Sequence, residues 1–368
     1  MKLKKKKVKI GVAGCGLISQ IMHLPHFLEM EEFEVTSLCD VSASTLKAVA
    51  EKFKIKKTFQ EYKHFLKSDI DAVLIAVRSS LHPDMVVQAA ESGKDIFVEK
   101  DMCLSIQQAD FMIERAGKNK AIVMVGHDRR YDPGFRKGVQ EIKKMKNIKM
   151  VRVHLNSGAH SFFIPQYKID RYRDDVPKNK KEESAGKRKS QIEEALGEKP
   201  SEQLINALEA LTGAGTHQIV IIQAAFGNPE KILSAEIDPT GYNWAITMRL
   251  PEGIPCVCTK VNTPELADYQ ETMNVYGTDK VVSIEYPAPF LKNQPARVIV
   301  KTQEKDTFQE TLLHTSFAEG FKEELRHFYN CIINRQKPES DLEVGRDNLK
   351  ALLSIIEAYQ NHKQVSCK

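Results

Sequence analysis

Long apolar runs are missing from this 368-residue chain. No stretch reaches the roughly 18 apolar residues that cross a bilayer, so no membrane partner is expected. The first nine residues contain no acid and hold six lysines, Lys2, Lys4, Lys5, Lys6, Lys7 and Lys9. They account for the net charge of +5, and the remainder is close to neutral. A nucleic-acid binder needs a basic face on its folded body and not only a basic tail, so none is expected here. The apolar stretch between Lys9 and Cys15 is five residues, short of the about 7–15 that an export leader requires. Seven cysteines, an odd number, are scattered along the chain, which excludes a disulfide framework and fits a reducing compartment. The protein is expected to be cytoplasmic. Cys256 and Cys258 lack a second Cys/His pair at zinc spacing, so no metal site is expected. Composition is otherwise ordinary, 42% apolar and 28% charged, which excludes wholesale disorder, collagen and a coiled-coil rod.

The first third alternates buried-type strands (Val8–Val12, Phe33–Leu38, Ala72–Val77, Asp95–Val98, Ala121–Val125) with amphipathic segments such as Ser42–Phe53, Pro83–Ser92 and Ser105–Lys118. That grammar predicts a doubly wound parallel sheet. After about residue 128, strand-like runs follow one another: Ile148–Leu155, Ile232–Ile237, Tyr242–Leu250, Ile254–Val261, Gln270–Tyr276, Lys280–Tyr286 and Arg297–Lys301. Consecutive strands without intervening helices predict a largely antiparallel sheet, closed by helices over Phe317–Arg335 and Glu343–Asn361. The fold class is therefore α/β, with a doubly wound parallel-sheet domain at 1–128 and a domain built on a largely antiparallel sheet at 129–368. Thirteen of the 25 residues in 178–202 are charged. That stretch reads as a surface insertion, mobile without ligand, with a helix over Glu182–Leu196 as a candidate lid.

The strongest local signal is the strand running into Gly14-Cys15-Gly16-Leu17-Ile18-Ser19. Gly14 permits a tight turn and Gly16 a close backbone approach to a pyrophosphate. The helix opening at Leu17 and Ile18 offers free N–H groups to that anion. Asp40 ends the second strand, where a carboxylate accepts the ribose hydroxyls of a dinucleotide. It would repel a 2′-phosphate, and Val41-Ser42-Ala43-Ser44 supplies no arginine to receive one, so NAD(H) is expected over NADP(H). Glu99-Lys100-Asp101 follows the fifth strand, at the sheet end where ligands bind. Lys100 there can donate to a substrate oxygen.

The glycine loop with His23-Leu24-Pro25, Ala76-Val77 with Ser80-Leu81-His82, Glu99-Lys100, Val125-Gly126 with Arg129-Arg130-Tyr131-Asp132-Pro133, and Gly215-Thr216-His217 occur in order. Together with Val275-Tyr276-Gly277-Thr278 they resemble the glucose–fructose oxidoreductase/inositol dehydrogenase family over nearly the whole chain. The resemblance implies an N-terminal Rossmann domain, a C-terminal α/β domain with a large open antiparallel sheet, and a nicotinamide-dependent oxidoreductase acting on a secondary alcohol or ketone of a sugar, inositol or related polyol. It implies Lys100 as the catalytic lysine and His217 as the histidine facing it. It assigns Gly14, Gly16, Leu17, Ile18, Asp40, Ala76, Arg78, His82, Glu99 and Lys100 to the cofactor, and Asp128, Arg129, Asn156 and Tyr172 to the substrate side. Asp101 stands where the family has proline, and Arg78-Ser79 where it often has Thr-Pro. The acid often found one turn before the histidine is Gly213, and the one after it is Val220. Asp128, Asp174 and Asp175 are candidates to replace it. Two other readings stay open: a glycosidase of this fold that retains NAD, and a non-catalytic dinucleotide-binding regulator. The single tryptophan, Trp244, is expected to pack or to meet another subunit. Ile246, Met248 and Leu250 form an apolar strand face, from which a homodimer or homotetramer is expected.

Overall fold

The computed structural model describes residues 6–361. Lys2, Lys4 and Lys5 of the basic tail, and Cys367, lie outside the described residues. The chain forms two compact units. The first is the segment up to His127 with Tyr167–Glu198 and Glu324–Arg346; the second is Asp128–Gln166, Lys199–Glu323 and the segment from Asp347. Where the sequence suggested one crossing near residue 128, the segments interleave, and most of the charged insertion belongs to the first unit.

In the first unit β1 (Val8–Ala13), β2 (Phe33–Cys39), β3 (Lys57–Phe59), β4 (Ala72–Ile75), β5 (Asp95–Val98) and β6 (Val123–Val125) form one sheet in the order β3-β2-β1-β4-β5-β6. Every pair is parallel. β4, β5 and β6 are buried at each position, which is why they read as unbroken apolar runs. β3, with two of its three residues exposed, has no such signature. The strand order reverses between β1 and β4, the crevice where such sheets bind ligands. Helices α1 (Leu24–Glu29), α2 (Ala43–Phe53), α3 (Tyr62–Leu66), α4 (His82–Glu91) and α5 (Ile106–Lys118) connect the strands. Ser42 and Ser105 cap α2 and α5 by accepting the amides of Thr45 and Gln108.

In the second unit α6 (Pro133–Ile142) precedes β7 (Met150–Gly158). The chain then gives the first unit α7 (Lys178–Leu196), and resumes with α8 (Glu202–Ala210) and α9 (Thr216–Phe226). Next come β8 (Lys231–Ile237), β9 (Trp244–Arg249), β10 (Pro255–Thr263), β11 (Gln270–Tyr276), β12 (Lys280–Tyr286), β13 (Arg297–Glu304) and β14 (Thr307–Leu313). The sheet order is β14-β13-β12-β11-β7-β10-β9-β8. Its pairs are antiparallel except β7 with β10. Helices α10 (Gly320–Asn334) and α11 (Leu342–Gln360) close the chain. No helix among the described residues is long and apolar enough to cross a membrane.

α7 is longer than the expected helix and is tied down. Gln191 donates from Nε2 to Ser80 O at 2.9 Å and accepts the Leu104 amide at 3.3 Å. Ser105 donates to Glu194 at 2.6 Å, and Lys187 pairs with Asp84 at 2.6 Å. Gln191 and Ile192 are buried against the first unit.

The apolar strand face needs correction. Trp244, Ile246 and Met248 are buried, and Cys256, Cys258 and Lys260 of β10 share their face. That face lies under helices: Trp244 donates from Nε1 to Gln218 of α9 at 3.1 Å, and Gln218 donates to Thr259 O at 2.8 Å. The other face of β9 carries Ala245, Thr247 and Arg249, so Ile246 and Met248 are core and not a subunit interface. Trp244 packs. Burial pushes the Cys256 thiol up to about 12 and lowers the Lys260 ammonium to about 8. The six cysteines among the described residues are buried and unpaired.

Candidate active site

The first unit gathers the expected cofactor residues at the carboxyl ends of β1, β2, β4 and β5. Gly14 has φ +96°, and a Cβ there would strike the Ala76 carbonyl. A Cβ at Gly16 would meet no heavy atom within 4 Å. The loop therefore has open space on the side that a phosphate group would take. Ser19, third in the glycine pattern, donates to Gly14 O at 2.6 Å and ties the loop to its helix. That helix starts at Leu17 and Ile18 and passes through a π-helical turn, Ser19–His23, before α1. Asp40 accepts the amide of Cys15 at 2.8 Å through Oδ2 and that of Ser42 at 2.9 Å through Oδ1. The carboxylate is thus fixed beside the loop.

Glu99 is buried and accepts the Lys100 amide at 3.0 Å through Oε2. Its Oε1 lies 2.6 Å from Nε2 of buried His23. His82 is fully buried between two turns, with Nδ1 2.8 Å from Asp101 O and Nε2 3.3 Å from Val77 O. Burial lowers its pKa, against the backbone carbonyls around the ring, which favour its charged form. The Lys100–Asp101 peptide is cis. Arg78, exposed, opens the short turn after β4.

The segment 167–176 also belongs here. Tyr172 donates its amide to Thr45 Oγ1 at 2.8 Å, and that hydroxyl donates back to Tyr172 O at 3.0 Å. Asp175 accepts the Ser44 amide at 2.7 Å. Tyr172, expected on the substrate side, is therefore fastened to the first turn of α2, and Asp175 caps the same turn. Arg171 has its pKa lowered by partial burial and then by the charges of Arg173 and Arg78, with Asp40 opposing them. An arginine absent from the turn after β2 thus comes within reach of the Asp40 charge from elsewhere in the chain, with Arg173 and Arg78 beside it. Sequence spacing gave no sign of them.

The second unit holds a different cluster. A π-helical turn, Leu211–Gly215, leads into α9 and brings His217 out, 21% exposed at its side chain. Its Nδ1 lies 3.7 Å from Asp128 Oδ1. Asp128 is buried, and its Oδ2 accepts Nη1 of Arg129 at 2.5 Å. Arg129 donates from Nε to both oxygens of Glu271, at 3.2 and 3.0 Å. Tyr269 donates to Glu271 Oε2 at 2.6 Å, and the guanidinium lies 5.4 Å from the Tyr286 ring centroid. Burial works against the charge on Arg129, but Asp128 and Glu271 outweigh it and hold its pKa above the ordinary value. Asp128 and Arg129 are thus brought to His217 as a salt-bridged group.

Asn156 is not. Val151, Val153 and Leu155 of β7 are buried with the helix-side face, and Asn156 alternates to the other side. There it donates to Asp268 at 2.9 Å and accepts from Thr263 at 2.9 Å. Glu271, Tyr269 and Tyr286 were missed by sequence reading. One signal was available: Glu271 shares its strand parity with buried Met273 and Val275, so a charge there lies among core positions.

Residues 8–127 match GFO_IDH_MocA, an oxidoreductase family with an NAD-binding Rossmann fold. Myo-inositol 2-dehydrogenase of Thermotoga maritima is 29% identical over 131 residues, 35% of this chain and 39% of that protein. The chain thus matches only about two fifths of the length of such relatives. Scyllo-inositol dehydrogenase of Lactobacillus casei, solved with NAD(H) and scyllo-inositol, superposes with a TM-score of 0.70 at 18% identity, covering 96% of this chain and 97% of that one. A variant of the 3-ketoreductase KijD10 of Actinomadura kijaniata, solved with TDP-benzene and NADP, gives 0.72 at 14% identity, covering 96% and 98%. At these identities the likeness establishes the fold alone, over 96% of the chain.

Proposed function

We propose that this chain, whose residues 8–127 match the GFO_IDH_MocA oxidoreductase family, transfers a hydride between NAD(H) and a secondary alcohol or ketone of a sugar, inositol or related polyol. The observation that carries this reading is the set of groups at one end of the first unit's sheet. An open glycine loop, the fixed Asp40 carboxylate and a lysine whose amide is held by Glu99 stand there together. Gly14, Gly16, Leu17, Ile18, Asp40, Ala76 and Arg78 would hold the dinucleotide, whose nicotinamide supplies the hydride acceptor when bound. Glu99 and His82 set the backbone on either side of Lys100. Lys100 donates to the oxygen of the reacting carbon, and His217 exchanges its proton. A relative solved with NAD(H) and another solved with NADP frame the cofactor choice; the fixed Asp40 carboxylate supports NAD. Buried reduced thiols support a cytoplasmic setting. A second copy of the chain is the macromolecular partner, seated on the open sheet face that carries Val257 and the 43% exposed Val261. Light scattering at the monomer mass of 41.7 kDa would refute that assembly.

The deciding experiment is NADH formation with a panel of inositols, aldoses and ketoses, run beside nitrophenol release from aryl glycosides. Reduction of NAD by at least one polyol is expected. Nitrophenol release without net NADH would replace the dehydrogenase with an NAD-retaining glycosidase.

A further inference from the structure

α7 is mostly polar, and Gln191 and Ile192 are the two residues it buries. Burying a side-chain amide costs free energy unless its two ends find partners, and here both do. Gln191 donates from Nε2 to Ser80 O at 2.9 Å and accepts the Leu104 amide at 3.3 Å through Oε1. These partners lie in two different turns. Ser80 belongs to the short turn after β4 that Arg78 opens, and Leu104 ends the segment that follows Lys100. A backbone carbonyl needs a donor and a backbone N–H needs an acceptor, and a primary amide supplies both from one head. Inside the unit His82 spans the same two turns, with Nδ1 2.8 Å from Asp101 O and Nε2 3.3 Å from Val77 O. Three residues after Gln191, on the same helix face, Glu194 accepts the hydroxyl of Ser105 at 2.6 Å, at the cap of α5. The stretch from Asp101 to Leu104 contains no proline to stiffen it. Side-chain ties hold it instead.

We propose that Gln191 is a positioning residue for Lys100. Its amide pins the turn that carries Lys100 to the turn that carries Arg78, so that the proton donor keeps a fixed place beside the cofactor turn. α7 is then a buttress for that end of the sheet and not a lid, since its buried amide grips backbone atoms that a moving lid would have to release. The effect on turnover rests on the polyol-oxidoreductase reading above; the hold on the two turns does not.

Two readouts on the full chain separate them. Gln191→Met keeps the side-chain length and loses both bonds. Amide hydrogen exchange should quicken at least about tenfold in peptides covering 78–82 and 100–104 and stay unchanged in β1 and β2. With an active polyol, kcat should fall by about 10–10²-fold while KM changes less than about threefold. Ile192→Ala loosens the same helix without touching the amide. It should lower Tm and leave kcat within about twofold of wild type. Should Gln191→Met fail to fold, Gln191→Glu takes its place. Its carboxylate still accepts the Leu104 amide but cannot donate to Ser80 O, so exchange should quicken at 78–82 more than at 100–104. A folded Gln191→Met protein with wild-type exchange in both turns, or with wild-type kcat, overturns the proposal. An equal fall of kcat in Ile192→Ala also overturns it. If no polyol is oxidised but exchange quickens in those two turns alone, the substrate reading fails and the positioning role stands.

Discussion

Nε2 of His23 and Oε1 of Glu99 meet at 2.6 Å in the interior of the first unit, and the second oxygen of Glu99 accepts the amide of Lys100. One carboxylate therefore joins the helix after the glycine loop to the residue proposed for chemistry. His23 is fully buried, edge-on to Phe97 and stacked near Phe27, so the pair sits among apolar rings.

Removing one member takes a short buried contact away from the other. Glu99→Leu should cost about 3–5 kcal/mol in denaturant unfolding. The double variant His23→Leu/Glu99→Leu should recover at least half of that, since both polar groups are then gone. Additive losses in the two single variants and the double would show that the pair is not coupled.

The two loop glycines should behave differently. Gly14→Ala puts a Cβ into the Ala76 carbonyl at a positive φ and should lower Tm markedly. Gly16→Ala enters open space and should leave Tm within a degree or two while weakening NAD binding at least about tenfold. Unchanged NAD affinity in Gly16→Ala, read by calorimetric titration, would move the pyrophosphate elsewhere.

Most of the first unit could be read from sequence because a parallel sheet buried on both faces leaves uninterrupted apolar strands. Val8–Ala13, Asp95–Val98 and the glycine loop are local features of that kind. The network at Asp128 was harder, because Asp128, Arg129, His217, Tyr269, Glu271 and Tyr286 lie far apart in the chain, and sequence spacing carries no such contact. The face of Ile246 and Met248 was misjudged for a related reason. Alternation marks an apolar face but does not say whether a helix of the same chain covers it, and here α9 does. Likewise the charge of Arg171 meets that of Asp40 because the Tyr172–Thr45 and Asp175–Ser44 contacts, more than 125 residues apart in sequence, bring that segment to α2.

Those arginines make cofactor selection a contest between fixed charges. Asp40→Ala should weaken NAD by about tenfold and strengthen NADP, because removing the acid leaves the positive field of Arg171, Arg173 and Arg78. Adding Arg171→Ala and Arg173→Ala to it should lose the NADP gain. Equal NAD and NADP affinity in the unmutated protein would show that Asp40 does not discriminate.

Asp132 gives a pH signature that is independent of catalysis. It caps α6, accepting the amides of Phe135 at 3.1 Å and Ala296 at 3.0 Å. Those bonds favour the carboxylate, but burial dominates and raises its pKa from 3.8 to about 6. A folded-state pKa above the unfolded one means that the native protein binds the proton more tightly between those values. Stability from this group therefore falls as pH rises from about 4 to 6, and the loss of about 3 kcal/mol is complete above that window. Asp132→Asn keeps a cap of similar quality without a charge to desolvate. Its unfolding free energy should match the wild-type value near pH 4 and exceed it at pH 7.5. Parallel stability curves for the two proteins from pH 4 to 7.5 would mean that the amide bonds outweigh burial and that Asp132 is ionised throughout.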